Sequence, residues 1–204
     1  MRAPDPEDLD LPDVIEPAAS ARAKCRGCGQ AIAKGELRFG EALPNAFGEG
    51  ESMFWFHLAC GACMRPEKVG PALEALPSPP PDAEWLKRAV EFGLEHPRLP
   101  RLKAVERAPS GRATCRSCRE IIEKGAFRIA LQMFEEGRFS PIGSIHVECA
   151  KAYFDTKDIV DRMQKLTPSL TDADAAEIRR LLDVEKPGAP KEAGDEANGA
   201  SDEK

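Results

Sequence analysis

CRGCGQAIAKGELRFG at 25–40 and CRSCREIIEKGAFRIA at 115–130 are the stretches that decide the fold. Cys25, Cys28, Ile32, Lys34, Gly35 and Arg38 of the first recur 90 positions later as Cys115, Cys118, Ile122, Lys124, Gly125 and Arg128. Downstream, His57 and Cys60 recur after 89 positions as His146 and Cys149, and upstream Arg22 recurs as Arg112. A duplication that keeps these residues in register predicts two independent copies of one module.

Each copy reads C-x2-C, then 28 or 27 residues, then H-x2-C. Two cysteines at that spacing wrap a knuckle around one ion, and the His–Cys pair closes a tetrahedron from the far side of a hairpin. Thiolate and imidazole donors in a four-coordinate set select zinc. An iron–sulfur centre is disfavoured because its usual ligation is all-cysteine. The expected metal ligands are Cys25, Cys28, His57 and Cys60, then Cys115, Cys118, His146 and Cys149, which gives two Zn2+ per chain. A closed ligand set leaves no position for a catalytic water, so the role is structural. Cys63 competes with Cys60 on spacing alone, but its place in the second copy is taken by Ala152, so it reads as a spare thiol. His96, between Glu95 and Pro97 with no cysteine near it, reads as a surface residue.

Composition agrees with a metal-supported fold. Of 204 residues 31% are charged and only 6% aromatic, a lean supply for a large core. Small domains short of apolar surface usually need a metal or disulfides. The net charge of −6 is unevenly spread. Residues 1–20 carry one Arg against six acids and 184–204 three Lys against six, so the body between them is weakly basic. There is no basic start followed by an apolar core, and no apolar run of membrane-spanning length. The reading is a soluble intracellular protein with no membrane partner: nuclear in a eukaryote, cytoplasmic or nucleoid-associated in a bacterium. Cysteine clusters in a reducing compartment favour metal over disulfides.

The expected fold class is small α+β: two zinc-stabilised β-hairpin/helix modules joined by a helical linker, with disordered acidic termini. The expected boundaries are a disordered arm 1–20, module one 21–76, a Pro-rich and helical linker 77–108, module two with C-terminal helices 109–183, and a disordered tail 184–204. Phe127, Ile129, Leu131 and Met133 alternate as a strand would. Residues 36–43 are the counterpart, with second strands at about 52–57 and 142–147. In the linker, Asp82 is placed to cap a helix over AEWLKRAVEFGLEH, with Trp85, Leu86, Ala89, Val90 and Leu94 as its apolar stripe. Thr171 is placed to cap a helix over 172–183, which packs with Ile159, Val160, Met163 and Leu166.

At SGRATCRSC (110–118), RAKCRGC (22–28), the two I-x-K-G-x-x-R stretches at 32–38 and 122–128, and the aromatic Phe54–Trp55–Phe56 before His57, the chain resembles the poly(ADP-ribose) polymerase-type zinc finger, found also in DNA ligase III. The resemblance covers about 21–76 and 109–183. It implies recognition of DNA breaks, with the arginine before the knuckle and the arginine on the strand gripping phosphates. Those positions are Arg22, Arg38, Arg112 and Arg128. It also implies apolar loop residues that stack on exposed bases, for which Phe47 and Met53, then Phe139 and Ile142, are the candidates. Arginine suits phosphate because its guanidinium makes bidentate contacts that position a duplex without reading its sequence. The expected function is zinc-dependent, largely sequence-independent binding of nicked or broken duplex DNA. A separate repair enzyme is a possible partner, and the chain itself is not an enzyme. The alternative is a zinc-stabilised protein-interaction adaptor without DNA binding.

Overall fold

The computed structural model describes residues 11–44, 50–135 and 137–184. Two three-stranded antiparallel sheets form its frame. In the first, β1 (Val14–Pro17) pairs with β2 (Leu37–Pro44), and β2 with β3 (Glu51–His57). In the second, β4 (Leu102–Arg107) pairs with β5 (Phe127–Glu135), and β5 with β6 (Arg138–His146). The helices are α1 (Leu58–Met64), α2 (Pro66–Glu74), α3 (Ala83–Glu95), α4 (Ala150–Phe154), α5 (Val160–Leu166) and α6 (Asp172–Asp183).

Strands β2, β3 and β5 overlap the expected spans, whereas β6 begins at Arg138 rather than near 142; Phe127, Ile129 and Leu131 are buried as alternation requires. Met133 is only half-buried, because a register shift after Leu131 turns Gln132 inward instead.

Two boundaries differ from expectation. Residues 14–17, assigned to a disordered arm, form β1, and Ala18 behind them is buried. Residues 102–107, assigned to the linker, form the matching β4. The signal was present: Glu16 and Ala18 recur 90 positions later as Glu106 and Ala108. Both strands are short and polar on their outer face, so periodicity alone did not betray them. Residues 1–10 and 185–204, also read as disordered, lie outside the described residues.

Helix α3 matches the expected span, with Leu86, Ala89 and Val90 buried. Leu94 is 54% exposed and Gly93 takes the inward place. Asp82 makes no side-chain cap; its backbone sits in the left-handed region at φ 60°. At α6 the cap is formed: Thr171 accepts from the Asp174 backbone N–H at 3.1 Å while Asp174 returns a bond to the Thr171 N–H. Ile159, Val160, Met163 and Leu166 are buried beside it.

The modules are not independent. Buried residues of both sheets and of α3 belong to one continuous core. Phe139 of β6 packs edge-on against Phe56 of β3, centroids 6.0 Å apart. Arg162 of α5, 5% exposed, donates to the carbonyls of Cys63 at 2.6 Å and Ala89 at 2.8 Å. Arg65 forks onto Glu41 at 2.8 and 2.6 Å and stacks 3.9 Å over the Phe134 ring. A chain this poor in aromatics buries more apolar surface as one body than as two separate beads.

Candidate metal centres and nucleic-acid surface

Each zinc knuckle is built by the same local contacts. Cys25 N–H donates to Gln30 O at 2.8 Å and Gly29 N–H to Cys25 O at 2.9 Å; Cys115 with Glu120, and Arg119 with Cys115, repeat these bonds. The turn requires a positive φ, which Gly29 (76°) adopts at no steric cost and Arg119 (66°) adopts as a non-glycine. Ile32 and Ile122 bond back to Ala23 and Ala113, and both isoleucines are fully buried. The strand that follows carries the chain to the hairpin, which returns His57 and His146 to the knuckles.

The donor atoms of Cys25, Cys28, His57 and Cys60 lie within 4.8 Å of one another, as do those of Cys115, Cys118, His146 and Cys149. Cys28 Sγ is 3.3 Å from His57 Nδ1, and Cys118 Sγ is 3.4 Å from His146 Nδ1. The far ring nitrogens, Nε2, face the carbonyls of Ala31 and Ile121, each at 3.2 Å. An Nε2–H donated there leaves Nδ1 as the metal donor, the usual way a protein orients a ligating histidine. Backbone N–H groups of His57 and His146 donate to Cys25 Sγ and Cys115 Sγ at 3.3 and 3.4 Å, which stabilises thiolate.

The electrostatics fit a divalent ion. A hydrogen bond from Cys60 holds the Cys25 thiol down to about 3, and the same contact pushes Cys60 up. Bonding to Cys25 lifts His57 to about 9. In the second site a bond from Cys149 lowers Cys115 to about 4 and raises Cys149 in turn. Donors crowded so closely cannot all shed their protons unless a cation replaces them. The two Cys3His clusters are zinc-binding, two Zn2+ per chain; zinc here cross-links knuckle to hairpin. Cys63 is in neither cluster; it is fully buried on α1, where loss of solvent pushes its thiol up. His96 is half-buried against Phe92, centroids 4.5 Å apart.

The residues expected to meet DNA divide into two kinds. Arg22 and Arg112 are exposed, with no partner among the described residues. Arg38 and Arg128 are engaged. Arg38 Nη2 donates to Glu16 at 2.6 Å, and its guanidinium lies 3.3 Å from the Trp55 ring centroid, with Nε buried and unbonded. Arg128 Nε donates to Glu106 at 2.9 Å. Strand β1, or β4, thus neutralises the arginine of the next strand.

Of the stacking candidates, Phe47 lies outside the described residues. Phe139 is committed to Phe56 and Phe134 rather than open to a base. Ile142 is half-buried on β6, and Met53 is half-buried over Gly40. Lys24 and Arg26 escaped notice in the sequence; both are exposed beside Arg22 on a groove of about 520 Å³ floored by Met53 and Trp55. Three basic residues among seven on one short ribbon, 22–28, were the available signal.

Residues 16–75 match the family model for the poly(ADP-ribose) polymerase and DNA-ligase Zn-finger region. The chain therefore carries one finger of this type, followed by a second Cys/His cluster at 115–149. It is 29% identical over 206 residues to a poly(ADP-ribose) polymerase of Sarcophaga peregrina, covering 88% of this chain and 20% of that protein. It is 31% identical over 141 residues to poly(ADP-ribose) polymerase 1 of Gallus gallus, covering 62% of this chain and 14% of the relative. A Drosophila melanogaster poly(ADP-ribose) polymerase is 29% identical over 142 residues, 63% of this chain and 14% of that protein. The chain spans a fifth or less of the length of these relatives. Among the described residues no helix is long and apolar enough to cross a membrane.

Proposed function

We propose that the chain binds nicked or broken duplex DNA through its zinc knuckles, largely independently of sequence, and that residues 102–183 form a second finger of the same type as the first. The observation that carries this reading is the exposed ribbon of Arg22, Lys24 and Arg26 along a groove that, among the described residues, no carboxylate lines. Zinc holds that ribbon rigid, so presenting its charges to phosphate costs little entropy. In the second module Arg112 and Arg116 are exposed on the equivalent ribbon. Arg38 and Arg128 serve chiefly to tie strands through Glu16 and Glu106, and contact phosphate only as those pairs loosen. The named relatives are animal proteins, which favours a nuclear location.

The test is a titration of the zinc-loaded chain against intact, nicked and blunt-ended duplexes at several salt concentrations. Five phosphate contacts, one each from Arg22, Lys24, Arg26, Arg112 and Arg116, would give a log–log salt slope of about −4.5, at about −0.9 per contact. Arg22→Ala or Arg112→Ala should flatten the slope by about 1 and weaken all sequences alike. Arg38→Ala should lower thermal stability more than it changes the slope. No binding to any duplex at ~50 mM salt, where non-specific contacts are strong, overturns the reading in favour of a protein-interaction adaptor.

A further inference from the structure

We propose that the cleft between α2 and α3 is a docking groove for a short basic amphipathic helix of a partner protein, with apolar side chains inward and Lys or Arg flanking them. The groove lies on the face of module one opposite the basic ribbon, and the inference stands independently of the DNA reading above.

Strand alternation separates the two faces of the first sheet. Phe39 and Phe56 turn to one face and are fully buried there, while Trp55 and the ribbon groove lie on the other. Helix α1 covers the phenylalanines: a Cβ on Gly61 would sit 3.1 Å from Phe39 and 3.1 Å from Val69 of α2. Helices α2 and α3 then close on each other at Gly70, where a Cβ would sit 3.2 Å from Val90. Gly70 has no side chain and Pro71 only a ring, so the seam above that contact stays open as a cleft of about 610 Å³. Pro66, Leu73, Val90 and Leu94 form its apolar walls. Leu94 is an exposed large apolar residue, because Gly93 takes the inward place on α3. Past Leu73 the cleft continues to Leu76, Pro79 and Pro80. From Ala83 to Leu94 it follows α3 for three turns, roughly 16 Å at about 1.5 Å per residue.

An apolar seam of that length between two helices fits a third helix, which fills it with side chains at i, i+3 or i+4, and i+7. The charges choose the kind of helix. Glu67, Glu74 and Glu91 stand on the rims against a single Lys87. Glu67 is held by Arg65 at 2.8 Å, but Glu74 and Glu91 have no partner among the described residues. Pro71 lies inside α2 and has no N–H to donate to the Glu67 carbonyl, so the α2 wall adds an acceptor without its helical donor. Acceptors on both rims select a ligand rich in donors and positive charge. The same carboxylates repel DNA and the acidic ends of this chain, 1–10 and 184–204. A second copy docked about a twofold axis would set the same acidic rims face to face.

The test uses the full zinc-loaded chain and three fluorescein-labelled synthetic peptides of equal length. The first is an Ala-rich helix former with leucines at i, i+4 and i+7 flanked by lysines; the second has the same composition scrambled, and the third has glutamates for the lysines. Anisotropy reads affinity, and backbone amide shifts read the place of binding. The expected result is binding of the first peptide, with the other two weaker by about 10-fold or more, the worth of one buried leucine or of several like-charge contacts. Amide shifts should fall in α2 and α3. Leu94→Gln should weaken the first peptide roughly 10-fold. Glu74→Lys with Glu91→Lys, both at exposed positions, should weaken it roughly 3- to 30-fold and flatten its salt dependence. Equal binding of the first and scrambled peptides by the wild-type chain overturns the groove, and that arm needs no variant to fold. Amide shifts confined to the basic ribbon, or no binding of the first peptide at millimolar concentration, also overturn it. If the chain instead self-associates in sedimentation and Leu94→Gln returns it to a monomer, the groove belongs to a second copy and the proposal fails.

Discussion

Module one and module two share a metal shell and differ in what surrounds it. Knuckle bonds and strand register match at a 90-residue offset as far as Glu16–Arg38 and Glu106–Arg128, and the histidine orientation matches at an 89-residue offset. Beyond that shell, Glu41 of module one corresponds to Leu131 of module two, and Trp55 to Ser144. Module one follows its hairpin with α1 and α2, module two with a short 3₁₀ turn at Val147–Cys149 and then α4 to α6. The comparison separates two kinds of constraint. Contacts that orient ligands must be copied for zinc to bind at all, whereas outward positions are free to become a groove in one copy and a dock in the other.

The largest expected effect breaks the symmetry of the metal sites. Cys115→Ser should lose the second zinc, and structural zinc is worth ~10–16 kcal/mol in apparent binding free energy. Because Phe139, Phe134 and Arg162 brace module one, the loss should reach β2 and β3 as well. Amide exchange with zinc counting checks this: native protection in β2 and β3 after loss of the second ion would show that the modules are independent after all.

A smaller effect sharpens the contrast between Glu41 and Leu131. Glu41 has no exposed side-chain surface and depends on the Arg65 fork. Arg65→Ala leaves that carboxylate buried without its cation and should cost about 3–5 kcal/mol. The double variant Glu41→Leu with Arg65→Met imitates the apolar solution of module two and should recover most of the loss. Urea unfolding of the three proteins measures it, and a double variant as weak as the single one would contradict the equivalence of the two positions.

The smallest effect lies in module two alone. Thr171→Ala removes the cap of α6, which has no counterpart after module one, and should cost about 1 kcal/mol. The shift in Tm should be the same with or without DNA, since α6 carries none of the basic ribbon residues. A DNA-dependent shift would place α6 at the interface.

Much of this was legible beforehand because it is local. The C-x2-C and H-x2-C pairs, the alternation of Phe127, Ile129 and Leu131, the α3 stripe and the Thr171 cap each lie within a dozen residues of chain, where sterics and periodicity decide, and the duplication joins each Cys pair to its distant His–Cys pair. The misses share the opposite trait. Strand β1 is four residues of VIEP, too short for a period and legible only through Glu16 recurring as Glu106. Phe139 looked like a base-stacking residue because nothing nearby in sequence says that Phe56 receives it.

The sequence by itself determined the two Cys3His sets, the choice of zinc and the hairpins that carry the ligands, since donor chemistry and short-range geometry need no distant partner. Only the tertiary structure decided that the two modules and α3 share one core, that Glu16 and Glu106 occupy the strand arginines, and that Trp55 floors a basic groove. Those outcomes depend on groups far apart in the chain, Arg38 and Glu16 being 22 positions apart and Arg162 and Cys63 99 positions apart, and on which of several apolar faces meets which. Such pairings are set by packing over the whole molecule, where a side chain's neighbours are chosen by the surface it buries rather than by its place in the sequence.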